Sequence, residues 1–287
     1  MAKNKIKILV CGSVVIDIIS KKKFYGGTAG NIAYGLGQMK IKPLLFSLVG
    51  KDFEKDYGPH LKKIGVDLQI YTDKKNNTAN FSYSIHEKGT ANEIWKPNAY
   101  KNINKLSLVE TVDNKKLKDV SIAIFAPGNP ESTYNHLLEF KNFAPNGMAI
   151  FDPGQMIYFY SKKQFINCMN LSDILILNST EYAKISKTLG TDLVKFFSNL
   201  NITIIKTNGA NGSEIYKNNR ITKISPQKPK IVLDTMGAGD AYRAGMLYKL
   251  SQSKSIIVAC KYGAKIASKN IEYIGCQSYK IPKEMII

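Results

Sequence analysis

The sequence of 287 residues has few side chains that could form disulfides or bind transition metals. None of its four cysteines forms a C-x-x-C pair; they are Cys11, Cys168, Cys260 and Cys276. This spacing provides neither a disulfide framework nor a zinc site, and it is typical of a reducing cytoplasm. The three histidines, His60, His86 and His136, are isolated in sequence, so we interpret them as surface or packing residues rather than ligands.

Long uncharged hydrophobic runs are also absent. No stretch approaches the roughly 18 apolar residues that a membrane-spanning helix requires. The start, MAKNKIKILVCGSVVIDII, has a basic head and an apolar run, but Asp17 interrupts the run and no small-residue cleavage site follows. A lipoprotein signal would place a small residue before Cys11, where Val10 stands. The sequence therefore predicts a soluble cytoplasmic protein without a membrane partner.

Two common phosphate-binding motifs are missing. No G-x-x-x-x-G-K-[ST] sequence occurs, which excludes a Walker-type nucleoside triphosphatase. No G-x-G-x-x-G follows the first predicted strand, which argues against an oxidoreductase that binds a dinucleotide.

Acidic residues are scarce: 22 Asp and Glu stand against 41 Lys and Arg, a formal charge of +19. Such a balance occurs in nucleic-acid-binding proteins. However, the lysines are scattered from end to end, only SKKKF (20–24) is a true cluster, and no zinc-finger, helix-turn-helix or RNP-like pattern accompanies it. Nucleic-acid binding is therefore the lesser alternative, because a positive field attracts a phosphorylated small substrate equally well.

Short β-branched runs alternate with helix-like segments along most of the chain. We predict strands at KIKILV (Lys5–Val10), VVIDII, PLLFSLVG, VSIAIFAP, MAIFDPG, DILILN and ITIIKTNG. Helices are predicted at AGNIAYGLGQM, FEKDYGPHLKKIG and 131–143, around 164–169 and from Glu181 onwards. This alternation predicts one α/β domain over residues 1–287, with a doubly wound, mostly parallel sheet covered by helices on both faces.

The pattern changes between Asp67 and about Tyr100. The segments LQIYT, TANFSYSIH and NEIWKP alternate polar and apolar residues and are separated by turns rich in Asn, Lys and Gly. We predict short antiparallel strands that form a small β lid, mainly from residues 67–100.

Six polar or glycine-rich segments follow predicted strands: CGSVVID, APGNP, DPGQ, NSTE, KTNGANG and DTMGAGD. Ligands of open α/β sheets bind beyond the carboxyl ends of the strands, so these segments predict one shared site. In the last of them, Gly237, Ala238 and Gly239 precede Asp240 at a predicted helix start. Unpaired N–H groups at a helix N-terminus favour an anion, and the carboxylate could act as a general base or merely cap the helix.

The sequence DTMGAGDAYRAG resembles the signature of the ribokinase-like, or PfkB, family of ATP-dependent small-molecule kinases. YGGTAGNIAYGLG (Tyr25–Gly37) is similar to the family's N-terminal glycine motif. NSTE and KTNGANGSEIY are similar to its N-x-x-E and T-x-G-x-x-G elements, in the same order. The resemblance covers nearly the whole chain and implies the ribokinase-like fold with a β lid.

The resemblance also implies roles for the motif residues. Asp240 would be the general base for the acceptor hydroxyl, and Gly237, Ala238 and Gly239 would stabilise charge on the transferred phosphoryl group. The nucleotide would lie along three residues of the KTNGANG segment: Thr207, Gly209 and Gly212. The magnesium ion and its waters would be organised by Asn178 and Glu181.

The acceptor pocket implied by the resemblance contains Asp17, Gly27 and Asn31. The wording of the motifs is most similar to the adenosine or nucleoside kinase branch, in which Asp17 and Asn31 would hold the ribose hydroxyls. Three aromatic residues of the predicted lid are candidates to stack on a base or simply to hold the lid together: Phe81, Tyr83 and Trp95. The segment 18–25 is shorter than the family usually has, which predicts a reduced lid and makes a dimer clasped through lids doubtful.

The leading hypothesis is therefore transfer of a phosphoryl group from ATP to the 5′-hydroxyl of a nucleoside, adenosine first, with ATP and Mg²⁺ as cofactors. A sugar kinase of the same family is the alternative. A basic nucleic-acid-binding protein on a kinase-like scaffold is the third possibility. The chain is expected to be a monomer or a homodimer.

Overall fold

A computed structural model describes residues 7–19, 21–85 and 91–286. The strands are β1 (Lys7–Cys11), β2 (Val15–Ile19), β3 (Lys22–Gly26), β4 (Leu44–Gly50), β5 (Asp67–Asp73), β6 (Ala79–Ile85), β7 (Ala91–Lys96), β8 (Val120–Phe125), β9 (Met148–Phe151), β10 (Ile174–Asn178), β11 (Thr203–Thr207), β12 (Ser213–Lys217) and β13 (Arg220–Ile224). The helices are α1 (Thr28–Gln38), α2 (Tyr57–Lys63), α3 (Leu108–Thr111), α4 (Asn114–Lys118), α5 (Pro130–Phe143), α6 (Lys162–Asn170), α7 (Ser179–Leu189), α8 (Leu193–Phe196), α9 (Ala238–Leu250) and α10 (Ile256–Asn270). His86 and the first two residues of the predicted strand 5–10 lie outside the described residues.

Within the described residues, nine strands form the main sheet, in the order β13-β12-β11-β10-β9-β8-β1-β4-β5. The neighbours from β11 to β5 are parallel, and β12 and β13 add an antiparallel edge. Alternate residues of β1 face opposite sides, since Ile8 and Val10 join one hydrophobic cluster and Leu9 and Cys11 join the other. Helices α1, α9 and α10 cover the first side, and α5, α6 and α7 cover the second. The prediction of a mostly parallel sheet flanked by helices is confirmed.

A second sheet has four strands in the part of the chain that the structure describes, in the order β3-β2-β6-β7. Strand β2 follows β1 after three residues, so one continuous stretch of chain enters both sheets. Two expectations need correction. LQIYT, which the sequence predicts as a lid strand, lies in β5 and pairs in parallel with β4 at the edge of the main sheet. The short segment 18–25, which predicts a reduced lid, contributes to an antiparallel β2–β3 pair of the small sheet. The small sheet is therefore built from β2, β3, β6 and β7, so it also contains two strands that precede Asp67.

The predicted helices agree with α1, α2, α5, α6 and α7. The glycines inside α1 do mark close packing: a Cβ at Gly35 would lie 2.6 Å from the Ala244 Cβ. The β12–β13 hairpin was not predicted, although Asn218 and Asn219 at its turn, with φ of 50° and 57°, are a common hairpin signal. Within the described ranges, no helix is long and apolar enough to span a membrane.

Candidate active site

The carboxyl ends of the parallel strands bring the polar segments to one edge of the main sheet. Asn178 ends β10 and lies beside Thr207, which ends β11. Asp152 follows β9 directly and is fully buried. The GAGD segment joins this edge through α9, because Arg243 of that helix binds Asp152. The sequence segments predicted to share one site therefore do lie at a common edge.

Gly237 begins the turn that leads into α9. It has φ of 77°, a left-handed conformation that glycine adopts without strain, and a Cβ there would lie 2.9 Å from the Cys276 Sγ. Among the described residues no side chain caps this helix start, so the N–H groups of its first turn lack side-chain acceptors there. The turn thus has the glycine geometry and the open helix N-terminus of an anion site.

Asp240 lies in the first turn of α9, but it does not cap the helix. Its Oδ2 accepts a hydrogen bond of 2.8 Å from Nδ2 of Asn31 on α1. Burial raises the pKa of the Asp240 carboxyl from 3.8 to about 6, while the Arg243 guanidinium and the Asn31 hydrogen bond oppose this rise. At neutral pH the group is mostly ionised, yet it is a stronger base than an ordinary aspartate. Those are the properties that a general base needs.

Arg243 and Asp152 form an ion pair in the interior beneath this turn. Nε and Nη2 of Arg243 donate to the two carboxylate oxygens of Asp152 at 2.5 and 2.7 Å. Asp152 is 0% exposed and its charge is compensated by Arg243, while the charges of Asp240 and Glu181 also stabilise the guanidinium. The pair fixes α9, and with it Asp240, against the carboxyl end of β9.

Asp17 of β2 is 8% exposed, and Gly26 on the neighbouring strand makes room for it. A Cβ at Gly26 would lie 1.8 Å from Oδ2 of Asp17. Burial raises the pKa of the Asp17 carboxyl from 3.8 to about 7, and the charge of Asp240 adds to the rise. The two carboxyl groups are thus electrostatic neighbours across the boundary between the two sheets.

Aromatic side chains flank Asp17 on its face of the small sheet. Asp17 is the cross-strand partner of Phe24 and of Phe81, and Phe81 is the partner of Trp95. Because directly opposed residues share a face, these four side chains form one row. Trp95 is 47% exposed, whereas Phe24 and Phe81 are half-buried. Tyr83, two residues beyond Phe81, lies on the same face but outside the row.

Gly27 and Asn31, predicted near the acceptor, both lie at the start of α1. Gly27 has φ of 83°, and a Cβ there would meet the backbone of the β1–β2 connection, with the Ser13 oxygen at 2.6 Å. Its lack of a side chain is therefore explained by chain packing. Asn31 reaches Asp240 directly.

Asn178 and Glu181 cap α7 reciprocally. Oδ1 of Asn178 accepts from the Glu181 N–H at 2.9 Å, and Oε2 of Glu181 accepts from the Asn178 N–H at 2.7 Å. No group of three or more His, Cys, Asp or Glu that could hold a metal occurs in the described part of the chain. Mg²⁺ usually binds through one or two carboxylates together with substrate phosphates and water. Since Oε1 of Glu181 takes no part in the cap, the residues fit a magnesium ion that arrives with a nucleotide.

The predicted nucleotide residues lie in the turn after β11. The Thr207 hydroxyl donates weakly to the Leu177 oxygen at 3.4 Å. Gly209, with φ of 56°, is exposed and has open space where a Cβ would be. A Cβ at Gly212 would lie 2.1 Å from the Ile224 oxygen, so this glycine allows β13 to pass. Of the two glycines, Gly209 is the one that presents open backbone.

Sequence analysis missed several residues of this site, namely Gly26, Tyr57, His60, Asp152, Arg243 and Gln277. The GG pair was the available signal for Gly26, and the arginine one helical turn after Asp240 was the signal for Arg243. Tyr57, His60 and Gln277 belong to a hydrogen-bond network around Asn31. No pattern in the sequence connects them.

The chain is similar to known kinases over nearly its whole length. The model of the pfkB family carbohydrate kinases matches residues 5–284. The nucleoside kinase of Methanocaldococcus jannaschii is 29% identical over 92% of this chain and 84% of its own length. The crystal structure of the M. jannaschii nucleoside kinase, an archaeal member of the ribokinase family, has 25% identity and a TM-score of 0.88 over 98% of this chain and 96% of that chain. The nucleoside kinase of Burkholderia thailandensis in complex with ADP-inosine has 20% identity and a TM-score of 0.83 over 97% and 93% of the two chains. The predicted ribokinase-like fold is confirmed.

Proposed function

Because this chain belongs to the pfkB family of carbohydrate kinases and is a phosphotransferase with a hydroxyl acceptor, we propose that it phosphorylates the 5′-hydroxyl of a nucleoside from ATP. Adenosine is the leading acceptor. The observation that carries the proposal is the position of Asp240, a carboxylate of raised basicity beside an uncapped helix start with a glycine turn. The similarity to nucleoside kinases supports a nucleoside as the acceptor.

In the proposed reaction, Asp240 removes the proton of the 5′-hydroxyl as its oxygen attacks the γ-phosphorus. A new O–P bond forms, the bond from the γ-phosphorus to the β–γ bridging oxygen breaks, and ADP leaves. The N–H groups of Gly237, Ala238 and Gly239 stabilise the charge that accumulates on the phosphoryl oxygens. Arg243 and its partner Asp152 hold this turn in place.

The acceptor pocket lies between the two sheets. Asp17 and Asn31 would bind the ribose hydroxyls, one from the small sheet and one from α1. The aromatic row beside Asp17 favours a nucleoside over a simple sugar, because Phe81 and the exposed Trp95 offer ring faces for a planar base. The small sheet would act as the lid that keeps water away from the transferred phosphoryl group.

The nucleotide would lie beyond the ends of β10 and β11, beside Thr207, Gly209 and Gly212. Asn178 and Glu181 would hold Mg²⁺ and its waters. The ion supplies charge neutralisation on the nucleotide phosphates when it is bound.

The test is a phosphoryl-transfer screen with ATP and Mg²⁺ against nucleosides and simple sugars. Asp240→Asn should keep the fold and lower kcat by roughly 10²–10⁴, the usual contribution of a general base. The matched control is Asp113→Asn, because Asp113 is an exposed helix-capping residue and Asn caps equally well. Asp17→Ala should raise the KM for the acceptor and leave that for ATP unchanged.

Three results would contradict the proposal. If the turnover of Asp240→Asn were close to that of the control, Asp240 would not be the general base. Phosphorylation of sugars in preference to nucleosides would establish the sugar kinase alternative. Tight, salt-sensitive binding to nucleic acid without phosphoryl transfer would favour a binding protein.

A further inference from the structure

A chain of hydrogen bonds leads from Asp240 through two amide side chains to His60. Asn31 donates from Nδ2 to Asp240 and accepts at Oδ1 from Nε2 of Gln277, at 2.8 and 2.9 Å. The same Gln277 nitrogen donates to the Tyr57 hydroxyl oxygen at 2.5 Å. Oε1 of Gln277 lies 3.1 Å from Nε2 of His60. The network links α1, α2, α9 and the segment after α10.

The two ends of the network fix the direction of every bond in it. The Tyr57 hydroxyl donates to the backbone oxygen of Gly26 at 2.6 Å, so its own oxygen is left to accept from Gln277. Gln277 must therefore turn its amino group toward Tyr57 and Asn31 and its oxygen toward His60, whose Nε2 must carry a proton. At the other end an ionised Asp240 can only accept, which requires the amino group of Asn31.

His60 is firmly held in this arrangement. Its ring stacks on Tyr25 and Tyr34, with centroid distances of 4.2 and 5.4 Å. A Cβ at Gly30 would lie 2.2 Å from the Tyr57 hydroxyl, so glycine at that position leaves space for the network. Burial lowers the pKa of the imidazole, opposed by its bond to Gln277 and the charge of Asp56 and reinforced by Lys63.

We infer that His60 and Gln277 are positioning residues for the general base, because together they keep the amino group of Asn31 facing Asp240. This inference rests on the proposed function. Without the donor on His60, only Tyr57 still fixes the Gln277 amide, and the amide can turn when the Tyr57 hydroxyl donates to its oxygen instead of to Gly26. Asn31 can then turn with it. The Asn31 oxygen then faces the carboxylate, the proton affinity of Asp240 rises, and less of the base is ionised at neutral pH.

Other titratable groups also face Asp240. They are Arg243 on α9, Asp152 after β9, Glu181 on α7, Asp17 on β2, Tyr57 on α2, and Cys276 and Tyr279 in the C-terminal segment. A substitution at His60 removes none of these groups, and of them it touches Tyr57, which stays uncharged over the pH range of the experiment. A shift of the pH profile in such a variant therefore reports on the orientation of Asn31.

The experiment compares His60→Phe, which keeps an aromatic ring between the tyrosines and loses the donor, with His60→Gln, which keeps a donor and loses the ring. The kcat/KM for the acceptor is measured from pH 5 to 9. From a pKa of about 6, a rise of one unit should lower the ionised fraction of Asp240, and with it the activity of His60→Phe at pH 7, about twofold, and a rise of two units about tenfold. The variant should recover at pH 9 with an unchanged KM for ATP. His60→Gln should retain most of the wild-type value.

A reversed order, with His60→Phe active and His60→Gln impaired, would overturn the inference and leave His60 a packing residue. An equal loss at every pH would do the same. If thermal melting shows that His60→Phe is unfolded, Gln277→Met must show the alkaline recovery.

A readout without turnover separates this inference from the proposed function. NMR of ¹⁵N-labelled wild-type protein should find neutral His60 protonated on Nε2. Protonation on Nδ1 alone would overturn the network, whatever the acceptor is. Lack of phosphoryl transfer by the wild type would instead contradict the proposed function.

Discussion

Replacing Asp17 with asparagine should stabilise the protein, and the gain should grow with pH. The pKa of Asp17 is about 7 in the folded chain and 3.8 in the reference state, so the folded state prefers the protonated carboxyl. Its contribution to stability is complete below about pH 4 and is lost as the pH rises through about 7. The asparagine side chain carries no charge at any pH and avoids this loss.

The size of the effect follows from the shift of about three units. At about 1.4 kcal/mol per unit, ionisation of Asp17 costs about 4 kcal/mol of folding free energy at pH 8. At pH 5 only the interval above 3.8 contributes, which is about 1.6 kcal/mol. The difference between wild type and Asp17→Asn should therefore grow by about 2.5 kcal/mol between pH 5 and pH 8. This comparison cancels any packing difference between the two side chains.

Urea unfolding of both proteins at the two pH values measures this difference. Asp113→Asn is the control, because backbone N–H groups and nearby lysines lower the pKa of the exposed Asp113 carboxyl. A lowered pKa matters only at more acidic pH, so the control difference should stay constant from pH 5 to 8. If Asp17→Asn also gave a constant difference, or became less stable toward pH 8, the reasoning about burial of Asp17 would be refuted.

Two further predictions concern the same site. The acceptor kcat/KM of the wild type should rise with pH through apparent pKa values of about 6 and 7, because Asp240 can take the proton, and Asp17 accepts most strongly from the ribose hydroxyls, when ionised; a flat profile from pH 5 to 8 would contradict this. Asp152→Asn should cost about 3–5 kcal/mol in urea unfolding, because it leaves the Arg243 charge buried without its partner; a loss below about 1 kcal/mol would show that water compensates the arginine.

The order of the parallel core strands and of α1, α2, α5, α6 and α7 could be predicted because hydrophobic periodicity is local, whereas the β12–β13 hairpin and α10 were not predicted. The edge strand β5 shows why local patterns fail for sheet membership. An edge strand of the main sheet is half-buried and alternates polar with apolar residues just as a lid strand does, so LQIYT fitted both. The pairing of β5 with β4 joins segments that are distant in sequence, and the local pattern of LQIYT does not specify it.

The site was predictable where one short motif contained both the backbone geometry and the charge. Gly237–Gly239 and Asp240 are adjacent in sequence, and the two capping partners Asn178 and Glu181 are only three positions apart. By contrast, Asn31 and Gln277 are separated by 246 positions and meet only after folding. Polar residues of this kind carry no periodic signal, which is why the support around Asn31 could not be predicted.

One continuous stretch of chain runs from β1 of the main sheet into β2 of the small sheet, so the proposed pocket is lined from both sheets. Asp17 and the aromatic row would contact the acceptor from the small sheet, Asn31 would reach it from α1, and the residues that would move the phosphoryl group are anchored in the main sheet and α9. On the proposed function, changes at Phe81 or Trp95 can alter which nucleoside is accepted without disturbing the catalytic turn. A single scaffold can therefore diversify its choice of acceptor while its chemistry is inherited intact.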